Sequence, residues 1–585
     1  MQVSISSRAR WAYIVPIVLA LVAYWLITGG QMLAPGRIGW LEHADLAQSY
    51  LGWAFYRHDP WTLPFGANPS YGLEFHSSVY YSDSIPLIAM ALKPIAAWLP
   101  EPFQYFGLWV VLCFLLQAVF AWRLLGLATR SLTARALGCV FFLLAPPMLM
   151  RLGGHMALVG QWTILAAIYL YLRPVQTRQR GYWTLLVATT MLIHAYLFLM
   201  VALIWAADLL RRALAIARNE AGGLRAALGP AIREGVQVVG ATIAVAWLAG
   251  FFMVPGNQSG ADGFGYYKMN LLAPFNGAGW SAFGLRSAEA PGEYEGFNYL
   301  GLGGIGLCLV AIPAWLSRRH GTARWRELWP LAAIACVLTF VAVTPHIGFG
   351  AMQWQLPLPE ALQKKLSHSS IQSTGRLFWV SYYALFVAAF FALARALPAR
   401  YLIAMLGLLV ALQLWDLHPG LENLRSVLIT RAQSQETSRL QGTFWAQAGS
   451  RYSTLRLVPT RILAPGWERL AFYALDQHMS TDAVQVARAN WKLFNRSRDR
   501  QNQLLANGTP EPETLYILDP SATQSAAVSA RPTDAVFALD GLNILAPGWD
   551  APLPAGAVDL KPIRGRPMQS TQVDQATGST HTAVP

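Results

Sequence analysis

Two carboxylates stand close together near the start of the first long polar segment. In the stretch 40–56, WLEHADLAQSYLGWAFY, the apolar residues recur at helical spacing. One face of this predicted helix carries Glu42, Asp45, Ser49, Gly52 and Tyr56. Such a pair of carboxylates can deprotonate a hydroxyl nucleophile, or bind a divalent cation that stabilises a phosphate leaving group. The alternative is that both acids are only the solvated side of an amphipathic helix in a membrane interface.

Asp83 is a third acid in the same segment. It precedes Ser84, Ile85 and Pro86, and proline is favoured in the first turn of a helix. Asp83 therefore has two interpretations, a helix N-cap and a catalytic acid. Both interpretations are correct if the capping side chain faces the same cavity as the other acids.

Three basic residues have the chemistry to hold a phosphate. Arg376 lies in STGRLFW, directly before an apolar run, and an arginine can bind phosphate oxygens with two parallel hydrogen bonds. Arg151 and His155 lie in RLGGHMALVGQW, a short turn between apolar runs where two glycines allow close backbone approach. The alternatives are a headgroup-anchoring arginine and a helix-end histidine satisfied by a carbonyl group.

A later loop combines glycine, asparagine, acids and aromatic rings. The stretches GNQSGADGFGYYKMNLLAPFNGAGW and GEYEGFNYLG suit stacking and hydrogen bonding to a sugar, although ordered loops at a membrane interface have the same composition. The candidate acceptor-site or sugar-binding residues, including two from the end of the first helical stretch, are Tyr56, Arg57, Asp262, Tyr266, Glu293 and Glu295. His194 lies in a long apolar run, where a polar side chain is a functional candidate or a packed residue.

Other chemistries are disfavoured by the motifs that the sequence lacks. There is no phosphate-binding P-loop, no HExxH zinc motif, no nucleophile elbow and no dinucleotide fingerprint. A nucleotide-sugar donor used from the cytoplasm is therefore disfavoured. The four cysteines all fall in apolar segments, which implies neither a disulfide framework nor a thiolate metal site. No cofactor is certain; a divalent cation, Mg²⁺ or Mn²⁺, remains open, with Asp45 and Glu42 as its candidate ligands.

Composition places these residues in a membrane protein. Of the 585 residues 55% are hydrophobic and 13% are charged, against about 25% charged residues in typical soluble domains. A net charge of +14 is compatible with nucleic-acid binding, but the basic residues occur in short clusters between apolar runs rather than along one stripe. The clusters indicate membrane orientation, and we expect membrane lipids rather than nucleic acid as partners.

Apolar windows of the length needed to cross a bilayer define the spans. They lie near 12–30, 103–122, 134–150, 157–172, 234–254, 299–317, 328–345, 377–396 and 401–416. The first is about 20 residues long with no cleavage site after it, so it is interpreted as a retained span. The stretch 183–209 has arginine clusters at both ends and is predicted to form a hairpin of two short helices that turn near His194. The total is then about eleven, with all arginine clusters on one side.

This topology predicts a bacterial inner-membrane protein with a cytoplasmic N-terminus and a periplasmic C-terminus. The fold class is mainly α, with a transmembrane domain over 1–416 and periplasmic loops at 31–102, 255–298 and 346–376. Strand-like runs such as TLRLVPT, TLYILDP and AVFALDGLNILAP predict a periplasmic α/β domain over 417–560. The tail 561–585 is too polar to pack and is predicted to be disordered.

Several stretches carry a resemblance to a known superfamily. HADLAQSYLGWAFYRHDPW, YYSDSIPLIAMALKPI, FQYFGLWVVLCFLLQ and STGRLFW resemble an uncharacterised bacterial domain-of-unknown-function family with the architecture of GT-C membrane glycosyltransferases. The resemblance implies a polyprenyl-phosphate sugar as donor and an acid of the first outer loop as base or metal ligand. By position Asp45 matches that acid best, and Glu42 is the alternative.

The functional hypothesis is transfer of a sugar from polyprenyl phosphate to an envelope glycan or protein on the periplasmic face. Asp45 activates the acceptor hydroxyl, with Glu42 and Asp83 as further catalytic candidates, and Arg376, Arg151 or His155 holds the departing phosphate. The alternatives are a transporter or flippase of a lipid-linked glycan, and an envelope polysaccharide polymerase or ligase. The sugar, the acceptor, the stereochemistry, the metal dependence and the oligomeric state remain open.

Overall fold

The computed structural model describes residues 7–219, 222–254, 264–316, 322–367, 371–433 and 439–561. In chain order the α-helices are α1 (Ser7–Thr28), α2 (Ala44–His58), α3 (Pro86–Leu92), α4 (Phe106–Gly126), α5 (Leu132–Leu143), α6 (Pro146–Leu149), α7 (Trp162–Leu172), α8 (Gln179–Met191), α9 (Ala195–Asn219), α10 (Gly223–Leu248), α11 (Leu302–Leu316), α12 (Thr322–Val343), α13 (Glu360–Ser367), α14 (Trp379–Ala396), α15 (Ala399–Gln433), α16 (Thr443–Arg451), α17 (Trp467–Asp476), α18 (Trp491–Ala506) and α19 (Pro520–Ser529). The strands are β1 (His346–Phe349), β2 (Met352–Gln355), β3 (Thr454–Val458), β4 (Ser480–Thr481), β5 (Thr514–Leu518), β6 (Ala535–Leu539), β7 (Leu542–Ala546) and β8 (Val558–Asp559).

The chain divides into two compact units. The first contains 1–40, 100–247 and 259–434, and the second contains Leu41–Leu99, Leu248–Gln258 and 435–585. This division differs from the predicted domain bounds, because the first polar segment belongs to the same unit as the C-terminal sheet and because α15 continues to Gln433.

Apolar helices dominate the first unit. Among the described residues four helices are long and apolar enough to cross a membrane: α4, α10, α15 and the helical stretch Thr374–Ala396. The pair Leu132–Leu143 and Pro146–Gly153, bent by 47°, gives a fifth if it forms one span. Shorter apolar helices occupy other predicted windows, so the protein has the helices of a membrane protein, while the total of about eleven spans remains a prediction.

Two helix breaks in this unit follow from local sequence. Pro146 and Pro147 begin α6, and a proline disfavours helical geometry in the residue before it, so α5 ends at Leu143. The predicted break near His194 is present, since α8 ends at Met191, α9 begins at Ala195, and the two helices pack against each other. The Nδ1 atom of His194 accepts a hydrogen bond of 3.1 Å from the amide of Tyr196, which makes His194 an N-cap of α9.

The predicted α/β fold of the C-terminal region is confirmed. Its six-stranded sheet has the order β4-β3-β5-β7-β6-β8, in which β3 is parallel to β4 and β5 and the other pairs are antiparallel. The turn Asp540-Gly541 between β6 and β7 has positive φ at both residues, as the preferred two-residue hairpin turn requires. The last described residue is 561, so the predicted disorder of 561–585 lies almost wholly outside the described residues.

The predicted helix of the first polar segment is α2, with two differences. Every residue from Leu46 to Tyr56 is buried, so α2 is not an amphipathic helix with one solvated face. Glu42 lies before the first residue of α2, and the prediction that it shares a helical face with Asp45 is wrong. The reason is that the chain turns at His43, whose extended backbone is the N-cap, so only Asp45 enters the first helical turn.

Candidate functional site

The clearest cationic cluster in the described part of the first unit is built on one carboxylate. Arg151 Nη1 and Arg376 Nε each lie 2.8 Å from Oε2 of Glu295, and Arg151 Nη2 donates to the Glu295 carbonyl at 3.1 Å. His155 Nε2 lies 3.7 Å from Oε1 of the same carboxylate. Arg151, Arg376 and Glu295 are all buried, whereas 28% of the His155 side chain is exposed. His155 therefore lies on the accessible edge of the cluster.

Two arginines and a histidine surround the one carboxylate of Glu295. Burial by itself would raise the pKa of Glu295, but the charges of Arg151 and Arg376 outweigh burial and hold that pKa well below its ordinary value. Glu295 is therefore ionised, and it accepts hydrogen bonds from both guanidinium groups. Arg151 Nε is buried without a hydrogen-bond partner among the described residues. Buried guanidinium groups next to a partly exposed histidine have the chemistry to bind an anion.

Short turns and aromatic rings position the two arginines. Arg151 lies in the 3-10 turn Met150–Gly153 after the bent α5–α6 pair, and its guanidinium carbon lies 5.5 Å from the centre of the Trp379 ring. Arg376 lies in the 3-10 turn Thr374–Phe378 that leads into α14, 5.2 Å from the Tyr196 ring centre. The Tyr196 hydroxyl in turn accepts a hydrogen bond of 2.7 Å from the amide of Ser373.

Glu293, two residues before Glu295, makes a separate set of contacts. Its carboxylate accepts hydrogen bonds from the Asn270 side chain at 2.8 Å, the Ala290 amide at 2.9 Å and the Gln353 side chain at 3.1 Å. Lys268 Nζ lies 3.3 Å from Oε1. This carboxylate is buried and satisfied, so it fixes the loop that carries Glu295.

The acids of the second unit have different surroundings. Glu42 is buried, and its Oε1 accepts a hydrogen bond of 2.8 Å from Arg439, whose other terminal nitrogen lies 3.7 Å from Asp476. Asp45 is half-buried in the first turn of α2, and its Oδ1 accepts a hydrogen bond of 2.7 Å from Gln485 Nε2. Glu42 is thus held in an ion pair, whereas Asp45 is oriented by Gln485 and is partly accessible to solvent.

Asp83 is half-buried and has a left-handed backbone, with φ of 56°. The N-cap of α3 is Ile85 and not Asp83, so the predicted capping role is wrong: the chain makes two left-handed turns, at Asp83 and Ile85, before Pro86 begins the helix. Burial raises the pKa of the neighbouring Tyr80, on which the charges of Arg488 and Asp83 act in opposite directions. Asp83 and Arg488 therefore both lie near this tyrosine.

Comparison with protein families shows where the chain belongs. The family model described as domain of unknown function DUF6311 matches residues 17–418, and the model of the DUF6311 C-terminal domain matches residues 444–547. This chain is a member of the DUF6311 family. No curated protein matches it.

A solved structure with a similar arrangement is the archaeal oligosaccharyltransferase AglB from Archaeoglobus fulgidus, in complex with an inhibitory peptide and a dolichol-phosphate. The match has 12% sequence identity and a TM-score of 0.39, and it covers 94% of this chain and 75% of the other.

Of the remaining predicted site residues of this DUF6311 protein, two make hydrogen bonds inside the first polar segment and one is exposed. The hydroxyl of the buried Tyr56 donates to the Phe65 carbonyl at 2.8 Å, and Arg57 donates to the carbonyls of Ala96 and Leu99 at 2.9 Å. Both side chains hold the first polar segment together. Tyr266 is exposed at the surface. Asp262 lies outside the described residues.

Sequence reasoning missed several residues that complete these clusters in the DUF6311 chain. They are Trp379 and Tyr196 beside the arginines, and Arg439, Gln485 and Arg488 from the C-terminal region. None lies in a motif that points to the acids, because the contact between Gln485 and Asp45 joins positions 440 residues apart. Within the described ranges no three His, Cys, Asp or Glu side chains are grouped as ligands of one metal ion.

Proposed function

We propose that this protein is a membrane glycosyltransferase that moves a sugar from a polyprenyl-phosphate donor to an envelope acceptor on the periplasmic face. In the reaction the acceptor hydroxyl gives its proton to Asp45 as its oxygen bonds to the sugar's anomeric carbon. The bond from that carbon to the phosphate oxygen breaks, and the lipid phosphate leaves with the bonding electrons.

The observation that carries this proposal is the pair of buried arginines that share the carboxylate of Glu295. Both guanidinium groups hydrogen-bond the buried Glu295 carboxylate, and Arg151 Nε is buried without a hydrogen-bond partner among the described residues. A phosphate bound beside them would supply oxygens that accept the parallel hydrogen bonds of an arginine. A phosphate on a lipid would reach the helix end at which Arg376 lies.

Asp45 is the preferred base because of its surroundings. General base catalysis needs a carboxylate that the substrate can reach and that is held in one orientation. Asp45 is half-buried and is fixed by Gln485, whereas Glu42 is committed to Arg439. The resemblance of this segment to GT-C enzymes supports the same choice.

The test is transfer of radiolabelled sugar from a panel of polyprenyl-phosphate sugars to envelope acceptors by the purified full chain in lipid bilayers. The variants are Asp45→Asn, Glu42→Gln and Arg376→Gln, with Asp499→Asn as a control because Asp499 is exposed and lies outside both clusters. Thermal unfolding of each variant shows whether it is folded.

We expect Asp45→Asn to lower the transfer rate about 10²- to 10⁴-fold. Arg376→Gln should weaken donor binding, and Asp499→Asn should behave like the wild type. Transfer that is unaffected by Asp45→Asn would move the base to another residue. If no donor supports transfer by the wild type, but the protein moves a lipid-linked glycan across the bilayer, the protein is a flippase and the proposal fails.

A further inference from the structure

The side chain of Gln485 is the contact through which the C-terminal region reaches Asp45. Its Nε2 atom donates to Oδ1 of Asp45 at 2.7 Å. Its Oε1 atom is buried and has no hydrogen-bond partner among the described residues. Buried acceptors in folded proteins are nearly always satisfied, and no described residue supplies a donor to this oxygen.

Hydrogen bonds to the first polar segment hold the backbone before and after Gln485. Thr481 donates to the Ser70 carbonyl and accepts from the Gly72 amide, both at 2.9 Å. Two residues beyond Gln485, the Ala487 amide donates to the Tyr81 carbonyl at 2.8 Å. The Tyr71 hydroxyl donates to the Gln485 carbonyl at 3.3 Å. The segment 481–487 therefore cannot shift without breaking bonds to the first polar segment, and the amide of Gln485 is directed by a fixed backbone.

An amide group is planar, so a hydrogen bond that fixes Nε2 also fixes Oε1. Gln485 thus presents one anchored donor and one unsatisfied acceptor next to a half-buried carboxylate. A hydroxyl that approaches Asp45 has only one proton, and in the proposed reaction that proton passes to Asp45. A second group of the same substrate, or a water molecule, has the proton that Oε1 lacks from the described residues.

We propose that Gln485 positions Asp45 and that its Oε1 accepts a hydrogen bond from a second hydroxyl of the acceptor, adjacent to the nucleophilic one. The acceptor is then a sugar with two neighbouring hydroxyl groups. This inference rests on the proposed glycosyl transfer and narrows its acceptor from an envelope glycan or protein to a glycan.

The experiment uses the full chain in lipid bilayers with a donor that the wild type accepts. Two acceptors are compared, a glycoside with neighbouring hydroxyls and its deoxy analogue that lacks the hydroxyl next to the nucleophile. The variants are Gln485→Met, which removes both amide functions, and Gln485→Glu, which keeps an acceptor oxygen but loses the donor to Asp45. The matched control is Gln503→Met, because Gln503 is an exposed glutamine of the same unit.

For the wild type and Gln503→Met we expect kcat/KM for the glycoside to exceed that for the deoxy analogue by about tenfold or more. Gln485→Met should remove this difference and lower kcat for both acceptors, while KM for the donor stays unchanged. Gln485→Glu should keep part of the preference for the glycoside while kcat falls. A purely structural effect of the substitution would lower kcat/KM equally for both acceptors and leave the ratio of the two values unchanged.

Two results would overturn this inference but not the proposed function. In the first, the wild type transfers sugar, and Gln485→Met leaves the ratio of kcat/KM for the glycoside to kcat/KM for its deoxy analogue unchanged. In the second, the wild type transfers sugar to a peptide hydroxyl in preference to every glycoside. The first means that water satisfies Oε1, and the second means a protein acceptor. Absence of transfer by the wild type with every donor would overturn the proposed function and this inference together.

Discussion

Asp482 is an acid of the C-terminal region whose pKa is set mainly by burial. Its side chain is fully buried, and Oδ1 accepts a hydrogen bond of 2.7 Å from the Leu457 amide. Arg456 lies 3.9 Å from Oδ2, which has no hydrogen-bond partner among the described residues. Burial raises the pKa of Asp482 to about 7, and the charge of Arg456 opposes that rise without cancelling it.

The pH dependence of stability follows from this raised pKa. In the unfolded chain the Asp482 carboxyl loses its proton near its ordinary pKa of 3.8, whereas in the folded chain it keeps the proton until about pH 7. Between these values the folded state binds more protons, so the free energy of unfolding falls as pH rises. We expect a loss on the order of a few kcal/mol. Unfolding of the C-terminal region, followed by tryptophan fluorescence between pH 5 and 7.5, measures it.

The matched variants for this prediction are Asp482→Asn, which should remove the slope, and Asp499→Asn, which should keep it. The lower limit of pH 5 matters because Glu74 acts in the opposite direction. Burial would raise the pKa of Glu74, but Arg456 lowers it overall, so its contribution is lost only when pH falls below its ordinary pKa of 4.5. A slope in Asp482→Asn equal to that of the wild type would assign the pH dependence to another group.

The residue types of the cluster around Glu295 could be predicted from the sequence, but their assembly could not. The sequence predicts Arg151, His155 and Arg376 as phosphate-binding candidates, because arginine and histidine near helix ends have that chemistry. It predicts their shared partner Glu295 as an acceptor-site residue instead. The contacts span 144 and 81 residues of sequence, and no local periodicity links positions so far apart.

At the scale of elements, close backbone packing fixes the turn that carries Glu293 and Glu295. A Cβ atom on Gly296 would lie 2.3 Å from the Lys268 carbonyl oxygen and 2.7 Å from the Met269 Cα atom. A Cβ atom on Gly375 would lie 2.5 Å from the Cα of Gly296. The turn at Gly296, the segment around Lys268 and the turn that leads into α14 at Gly375 are therefore in direct backbone contact, and only glycine fits between them.

Gly296→Ala should consequently displace this turn. We expect it to lower the free energy of unfolding by about 1–3 kcal/mol, as overpacked sites do, and to weaken phosphate binding through the shift of Glu295. The control is Gly407→Ala on α15, where an added methyl group meets nothing within 4 Å and where alanine is the better helix former. Thermal unfolding of the purified chain measures both changes. Equal unfolding temperatures for the two variants would contradict the tight packing at Gly296.

Whether a segment forms a helix or a strand was easier to predict than which segments pack against each other. The apolar windows coincide with helices, the strand-like runs became β3, β5, β6 and β7, and the break near His194 is present, because these features depend on local composition and periodicity. The burial of α2 on all its faces could not be predicted, since it comes from packing against α17 and other parts of the second unit that are distant in sequence. The same holds for Asp83, whose left-handed backbone is not encoded by the residues around it.

At the scale of the whole molecule, the arginine clusters predict the orientation in the membrane. The positive-inside rule places the clusters at 173–180 and 211–218 on one side only if two helices lie between them. The structure has α8 and α9 in this stretch, although α8 has 13 residues, about 20 Å of helix, which is short for the hydrocarbon core. The parity of the predicted span count depends on this pair.

Reporter fusions at defined positions test the orientation. Green fluorescent protein joined after Thr177 or after Asn219 should fluoresce, because both positions are predicted to be cytoplasmic. Alkaline phosphatase joined after Pro60 or at Pro585 should be active, because both are predicted to be periplasmic. Fluorescence at Thr177 with active phosphatase at Asn219 would mean that 183–209 crosses once. An even number of spans would then place the C-terminal domain in the cytoplasm, unless another predicted span is lost as well. Since Gln485 hydrogen-bonds Asp45, a cytoplasmic C-terminal domain together with active phosphatase after Pro60 would contradict the contact on which the acceptor site depends.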